Sequence, residues 1–159
     1  MKFVADCMLG KLARWLRMLG YDTCYVADAS DDELVRIAVR DDRVLLTRDT
    51  GLCGRRMVRR RCVFVDWGPT GQQLRQVIDT LGLQVSPENL FTRCAVCNSE
   101  ITPIERDAVR NRVPPYVFQT QTDYGYCAAC DRIYWRGTHV RHVLEALGKG
   151  DGLDAQRNT

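Results

Sequence analysis

Short apolar runs alternate with longer segments of helical periodicity through the first 81 residues of the chain. Four runs have the length and the β-branched or aromatic content of buried strands, at residues 2–5, 23–26, 44–47 and 62–65. Apolar residues recur at three- and four-residue spacing at residues 9–19, after Ser30, and at residues 70–81. This alternation predicts an α/β fold with a mostly parallel sheet covered by helices on both faces.

The pattern changes near residue 90, where helical periodicity gives way to short alternating segments. Residues 117–120 and 132–135 alternate as strands do, and residues 139–147 have the pattern of one closing helix. From residue 148 the chain lacks apolar residues to bury, which predicts a disordered tail. We therefore predict a first domain at residues 1–90, a second small unit with the closing helix at 91–147, and a tail at 148–159.

Two C-x-x-C pairs bracket 29 residues of the second unit: Cys94, Cys97, Cys127 and Cys130. Two such turns can present four thiolates to one Zn²⁺, and a unit this small needs a metal to supplement its core. Redox activity is the competing interpretation, but a redox C-x-x-C does not come as a matched pair. His139 and His142 could add ligands, although four cysteines already complete the coordination shell.

The other four cysteines are scattered singly at Cys7, Cys24, Cys53 and Cys62. Without paired spacing they are most simply small buried apolar residues in a reducing compartment. The sequence contains no apolar run near 18 residues, and a charge interrupts the first six residues, so neither a membrane span nor a signal peptide is expected. These features predict a cytoplasmic protein.

The net charge of +3 is too small to indicate nucleic-acid binding by itself, but the charges are unevenly distributed. Residues 28–42 carry six acids, and residues 55–61 carry five arginines. Such an arrangement suits a metal site that also holds a polyanion, and it is equally typical of solvated helix faces.

Asp6 and Asp49 each follow a predicted strand, and Asp31 opens the helix after the second strand. Parallel strands end at one edge of their sheet, so we expect these three carboxylates to lie together. At about 4–6 Å they would repel by several kcal/mol, which favours a bound Mg²⁺ or Mn²⁺. Each acid also has a structural alternative, because Asp49 and Asp31 suit helix N-termini and Asp6 can simply end a strand.

Several segments resemble the Mut-seven C-terminal RNase domain, a PIN-like family whose members carry a C-terminal zinc ribbon. The resemblance covers residues 1–147 and rests on Phe3-Val4-Ala5-Asp6, residues 9–17 with 20–23, Leu46-Thr47-Arg48-Asp49, and the paired cysteines. It implies a PIN-like α/β/α fold and metal-dependent cleavage of RNA, expected to be single-stranded. The matching catalytic and metal-binding acids are Asp6, Asp31 and Asp49, with Asp32 as the alternative to Asp31.

One departure from the larger PIN domains concerns the first helix, which has no acid and carries Lys11, Arg14 and Arg17 instead. A full two-metal site is therefore not established by the resemblance. We predict a Mg²⁺- or Mn²⁺-dependent ribonuclease whose substrate phosphates meet Lys11, Arg14, Arg17 and Arg48. The alternative is a non-catalytic RNA- or protein-binding module on the same scaffold, and the sequence leaves the oligomeric state open.

Overall fold

A computed structural model describes residues 1–148, apart from the side chains of Thr138 and His139. Its main sheet has four strands in the order β2-β1-β3-β4, and every neighbouring pair is parallel. The strands are β1 (Lys2–Ala5), β2 (Asp22–Tyr25), β3 (Val44–Thr47) and β4 (Cys62–Phe64). The α/β fold class predicted from the hydrophobic pattern is confirmed.

Helices cover both faces of this sheet. They are α1 (Gly10–Met18), α2 (Asp31–Arg40), α3 (Thr50–Gly54) and α4 (Thr70–Leu81). Alternate residues of β1 point to opposite faces, so Phe3 and Ala5 join the core formed with α1 and α4, whereas Val4 joins the core formed with α2 and α3. Leu12 and Leu16 of α1 are fully buried, and each stabilises the fold by about 1.5–3 kcal/mol.

Local sequence signals place several elements accurately. The observed bounds of β3 and α4 equal the predicted ones, and the S-x-x-E pattern of Ser30 and Glu33 forms a capping box at the start of α2. After β3, the helix α3 is short: it ends at Gly54, and turns follow to residue 60. Residues 7–9 form a 3₁₀ turn that carries the chain from β1 into α1.

The cysteine module, residues 91–137, contains a small antiparallel sheet of β5 (Thr102–Ile104), β6 (Tyr124–Cys127) and β7 (Arg132–Tyr134). The strand predicted at 117–120 is wrong, because these residues belong to a short helix, α5 (Pro115–Thr120). Pro114 and Pro115 begin this helix, where a missing backbone N–H costs nothing. Val109, Val117 and Tyr124 form the centre of a separate small core.

The closing helix, α6 (Thr138–Ala146), packs against the main sheet unit and not against the core of the cysteine module. Val140, Val143 and Leu144 are buried with α1 and α4 in the same cluster. Gly71 of α4 allows this approach, since a Cβ there would lie 2.9 Å from the Ala146 Cβ. Of the tail predicted at residues 148–159, all but Gly148 lies outside the described residues. No helix in the described part of the chain has the length and apolar content of a membrane span.

The expectation for the single cysteines is wrong in part. Cys53 and Cys62 are joined by a disulfide that ties α3 to β4, with Cα atoms 5.4 Å apart. Cys7 is exposed and Cys24 is half-buried, both as free thiols. No spacing rule predicts such a bridge, because the two cysteines meet only when the turns after α3 bring the chain back to the sheet.

Candidate active site and metal centre

Asp6 lies at the carboxyl edge of the sheet, the edge at which the parallel strands end. Its carboxylate is buried, with Oδ1 accepting a hydrogen bond from the Cys7 backbone N–H at 2.6 Å and Oδ2 accepting one from the Thr47 hydroxyl at 2.7 Å. These bonds fix the carboxylate at the start of the 3₁₀ turn. A buried acid held in this way is fixed in position before any ligand arrives.

Asp49 stands at the same edge, after β3, and is exposed. Its Oδ1 accepts a hydrogen bond from the Leu52 backbone N–H at 3.0 Å. Asp49 therefore caps the N-terminus of α3, which is the structural role named as its alternative. Its own N–H donates to the Thr47 hydroxyl at 3.0 Å. Thr47 therefore connects the two acids, because the same hydroxyl donates to Asp6.

Asp31 and Asp32 open α2 beyond the end of β2 and face Arg55. Arg55 lies 3.3 Å from Asp31 Oδ2 and also pairs with Asp32. Both carboxylates are exposed. The structure thus brings Asp6 and Asp49 into one hydrogen-bonded unit and holds Asp31 in an ion pair.

Cys94, Cys97, Cys127 and Cys130 have their sulfur atoms all within 4.8 Å of one another. Among the described side chains, no other group of three or more cysteine, histidine or acidic residues brings its ligand atoms as close together. Asp6, Asp31 and Asp49 do not form such a group. Oxygen atoms of Asp6 and Asp49 are of the type that Mg²⁺ and Mn²⁺ prefer, and a third ligand requires Asp31 or Asp32 to leave Arg55.

Asp66 is a further acid at this edge, one residue beyond the buried Val65 that follows β4. The sequence pattern predicts it as the end of a strand and does not single it out as a site residue. Its position resembles those of Asp6 and Asp49, since the backbone N–H of Val65 continues the pairing with Thr47 at 2.8 Å. A rule that collects every acid at the end of a predicted parallel strand would find it.

The predicted phosphate-binding residues occupy different surroundings. Lys11 and Arg14 are exposed on α1, whose N-terminus begins near the carboxyl edge. Arg48 is half-buried directly after β3, with its guanidinium carbon 3.1 Å from the centroid of the Trp67 ring. These three residues remain candidates for substrate contact.

Arg17 has a structural role, which differs from the predicted contact with substrate. It is 5% exposed, and its Nε donates to the Thr23 carbonyl oxygen at 2.8 Å. Its Nη1 donates to the carbonyl oxygens of Ala95 and Val96 at 3.1 and 2.8 Å. Arg17 therefore joins α1 and β2 to the first turn of the cysteine module, where RNA cannot reach its bonded donors.

The arginine run at residues 55–61 divides into paired and exposed members. Arg55 pairs with the acids of α2, and Arg61 donates to Asp42 Oδ1 at 2.7 Å. Three others are exposed: Arg56, Arg59 and Arg60. The exposed members retain the charge needed to contact a polyanion.

The four paired cysteines come together as the spacing predicts. The Cys94 and Cys130 sulfurs lie 4.0 Å apart, and the Cys97 and Cys127 sulfurs lie 3.5 Å apart. A tetrahedral Zn²⁺ with bonds of about 2.3 Å requires sulfurs roughly 3.8 Å apart. The donor set and its dimensions therefore fit one structural Zn²⁺ with a closed shell of thiolates.

Electrostatics at this cluster favour a cation. The hydrogen bond from the Ser99 side chain lowers the pKa of the Cys97 thiol to about 6, which favours the thiolate form. Its interaction with Cys130 raises the pKa of that thiol to about 12. Tyr134 adds support with its hydroxyl 2.9 Å from the Cys94 sulfur, and outer hydrogen bonds of this kind fix a ligand's orientation.

The first cysteine turn is attached to the amino end of β2. The Asn98 side chain accepts from the Thr23 backbone N–H at 2.9 Å and donates to Asp22 Oδ1 at 2.8 Å. This contact covers an edge strand of the sheet. The four residues of β2 separate this turn from the carboxyl edge by about 10 Å, so it lies away from the candidate active site.

Fold and site together define an α/β protein with acids at the carboxyl edge of a parallel sheet and an attached cysteine module that could hold a metal ion. The chain belongs to the Mut7-C RNAse domain family, whose model matches residues 1–147. It is also similar to the human protein named exonuclease mut-7 homolog, with 29% identity over 114 residues.

That alignment covers 69% of this chain and 13% of the human protein, so the chain spans a small part of its relative. No solved structure matches the chain. The family membership supports a nuclease-like function.

Proposed function

We propose that the protein is a Mg²⁺- or Mn²⁺-dependent ribonuclease that cleaves single-stranded RNA at the carboxyl edge of its PIN-like domain. One observation carries the proposal: Thr47 links Asp6 and Asp49 at the position where parallel α/β sheets bind ligands. The family match supplies the class of reaction. In this proposal the four cysteines would hold a structural Zn²⁺ that takes no part in cleavage.

Asp6 and Asp49, joined by Asp31 or Asp32, would hold the catalytic cation. Such an ion lowers the pKa of a bound water and neutralises charge on the phosphodiester. The protein's own contribution is to fix the Asp6 carboxylate through Cys7 and Thr47 before substrate binds. Lys11, Arg14 and Arg48 would contact the phosphates in this proposal, which is supported by their positions after β1 and β3.

The pairing of Asp31 and Asp32 with Arg55 favours a second candidate function, a non-catalytic RNA-binding module. In that case Arg55 would neutralise the acids of α2 permanently, and the arginines and aromatic rings would bind RNA without cleavage. The two functions differ in whether those acids can exchange Arg55 for a metal ion.

The test uses an end-labelled RNA strand and a DNA strand of the same sequence, incubated with Mn²⁺ or Mg²⁺ and with a chelator. We expect metal-dependent cleavage of RNA by the wild-type chain. The double variant Asp6→Asn/Asp49→Asn, purified in parallel, controls for a contaminating nuclease. Binding of RNA without cleavage under every metal condition would contradict the enzyme and support the binding module.

A further inference from the structure

Trp67 stands at the carboxyl edge, directly after Asp66 and beside β3. Its side chain is 76% exposed, the highest value among the large apolar residues that the structure describes. A single exposed apolar residue needs no explanation by itself. Its neighbours show that this indole is held in a defined position next to the candidate active site.

Arg48 supports one face of the ring. Its guanidinium carbon lies 3.1 Å from the ring centroid, which is a stacked arrangement. The Arg48 Nε and Nη2 groups are buried and have no hydrogen-bond partner among the described residues. These groups are enclosed beneath the ring, so the stacking with Arg48 fixes one face of the indole and leaves the other face to solvent.

Two glutamines of α4 hold the backbone that carries Trp67. Gln73, which is buried, donates from Nε2 to the Asp66 carbonyl oxygen at 3.0 Å. Gln76 accepts from the Asp66 N–H at 2.9 Å and donates to the Phe64 carbonyl oxygen at 3.1 Å. The indole is therefore attached to a fixed strand end, and binding to it costs little additional ordering.

We propose that Trp67 is a stacking platform for an unpaired base of the RNA, with Arg48 holding the ring from its other face. The inference rests on the proposed function for the identity of the ligand. Recognition of single-stranded RNA depends on bases that stack on aromatic rings, and a planar indole face accepts any base. The platform adjoins Asp49 through Arg48, so a base stacked on it places the neighbouring phosphate near the acids.

Binding is measured with the Asp49→Asn variant and a fluorescent RNA oligonucleotide, in the presence of a chelator so that the strand stays intact. A second oligonucleotide has the same length and charge but lacks bases. We expect Trp67→Leu to weaken binding of the RNA by about 5- to 150-fold, the range for removal of one stacked base, and to leave binding of the abasic strand unchanged.

The variants Trp67→Phe and Tyr116→Leu complete the design. Phenylalanine keeps an aromatic face and should retain most of the affinity, whereas Tyr116 is 67% exposed on α5 of the cysteine module and its replacement should have no effect. Equal weakening for both oligonucleotides, unchanged binding by Trp67→Leu, or no RNA binding at all would each overturn the inference.

These outcomes are separable from a failure of the proposed function. Base-dependent binding through Trp67 in a wild-type chain that cleaves nothing would preserve the stacking platform and remove the nuclease activity. Metal-dependent cleavage with an unchanged KM in Trp67→Leu would preserve the nuclease and remove the platform.

Discussion

Arg17 is a charged residue buried at the contact between the main sheet unit and the cysteine module. Burial lowers the pKa of Arg17, but an arginine still remains protonated at neutral pH. Its hydrogen bonds to the carbonyl oxygens of Thr23, Ala95 and Val96 offset the cost of removing the guanidinium from water. The residue thus stabilises a long-range contact.

We expect Arg17→Met to lower the free energy of unfolding by roughly 1–3 kcal/mol, because buried carbonyl oxygens lose their donor. Arg14→Met is the matched control: Arg14 is exposed one turn earlier on α1, and its replacement should change stability by less than about 0.5 kcal/mol. Urea unfolding of both variants measures the difference. Equal small effects would show that Arg17 does not secure the module.

The sequence alone cannot separate these two arginines. Helical periodicity puts both opposite the buried leucines of α1, so both are predicted to meet substrate. What buries Arg17 is a turn 78 residues away, at Ala95. A local sequence pattern contains no information about a contact between residues so far apart. It does predict that Asp6 and Asp49 follow strands, because strand ends are local features.

Asp22 is a second charged residue at the same contact, and its titration gives a pH-dependent prediction. Burial by itself would raise the pKa of Asp22, but hydrogen bonds from Arg43 and Asn98 outweigh it, and the pKa is lowered. A carboxyl whose pKa is lower in the folded state contributes stability above its unfolded pKa of about 3.9. That contribution disappears as the pH falls through the folded value.

We therefore expect the free energy of unfolding to decrease more steeply in the wild type than in Asp22→Asn as the pH falls below about 4. Asp28→Asn, which changes an exposed acid, should keep the wild-type slope. Denaturant unfolding at a series of pH values provides the measurement. Identical slopes in wild type and Asp22→Asn would contradict the assigned ion pair.

Among the larger elements, we expect the cysteine turns to depend on a bound metal and the main sheet unit to depend on those turns. Four thiols within 4.8 Å of one another cannot all ionise without a cation, and Zn²⁺ binding provides roughly 10–16 kcal/mol in such sites. The first cysteine turn contacts the main sheet unit through the Asn98 side chain and the carbonyl oxygens of Ala95 and Val96. Removal of zinc should therefore destabilise the main sheet unit as well as the cysteine module.

Elemental analysis should find one Zn²⁺ per chain, and Cys127→Ser should lack it and unfold at a lower temperature. Cys7→Ser, at an exposed free cysteine outside the cluster, should keep both the zinc and the wild-type melting temperature. A chain purified without chelator that contains no zinc would contradict the structural site.

The exposed arginines after α3 make a prediction for RNA binding. If Arg59 and Arg60 contact phosphates, Arg59→Ala/Arg60→Ala should weaken RNA binding and reduce the slope of log K against log salt by about 0.7 for each phosphate that is no longer neutralised. The charge-preserving variant Arg59→Lys/Arg60→Lys should keep most of the slope. An unchanged slope in the alanine variant would assign this run to a solvated surface.

Elements with strong local signals are predictable, and those shaped by distant contacts are not. The bounds of β3 and α4 follow from apolar patterns bordered by turn residues, and α2 follows from its capping box. Residues 117–120 mislead because their alternation is the pattern of a strand, whereas Pro114 and Pro115 begin a helix. The disulfide has no local signal at all.

Across the molecule as a whole, the chain returns twice to the main sheet after residue 90. The cysteine turns cover the amino end of β2, and α6 completes the helical layer beside α1 and α4. The boundary predicted from sequence follows the change of pattern along the chain, so it groups α6 with the cysteine module. Neither return covers the carboxyl edge, where Asp49 and Trp67 are exposed.

Cleavage of single-stranded RNA in Mn²⁺ by Asp49→Asn is the decisive measurement for the proposed nuclease. Asparagine also caps helices, so the bond to the Leu52 N–H survives and the fold should be retained. Removing a metal ligand should cost at least the roughly 10- to 100-fold typical of residues behind the ligands, and Mn²⁺ affinity should fall with it.

Asp42→Asn provides the control, because Asp42 is an exposed acid paired with Arg61 at the amino end of β3, opposite to the carboxyl edge. We expect wild type and Asp42→Asn to cleave RNA equally and only without chelator, whereas folded Asp49→Asn binds RNA and cleaves it at least about tenfold more slowly. Equal cleavage by wild type and Asp49→Asn would contradict the assignment of Asp49 as a ligand of the catalytic metal.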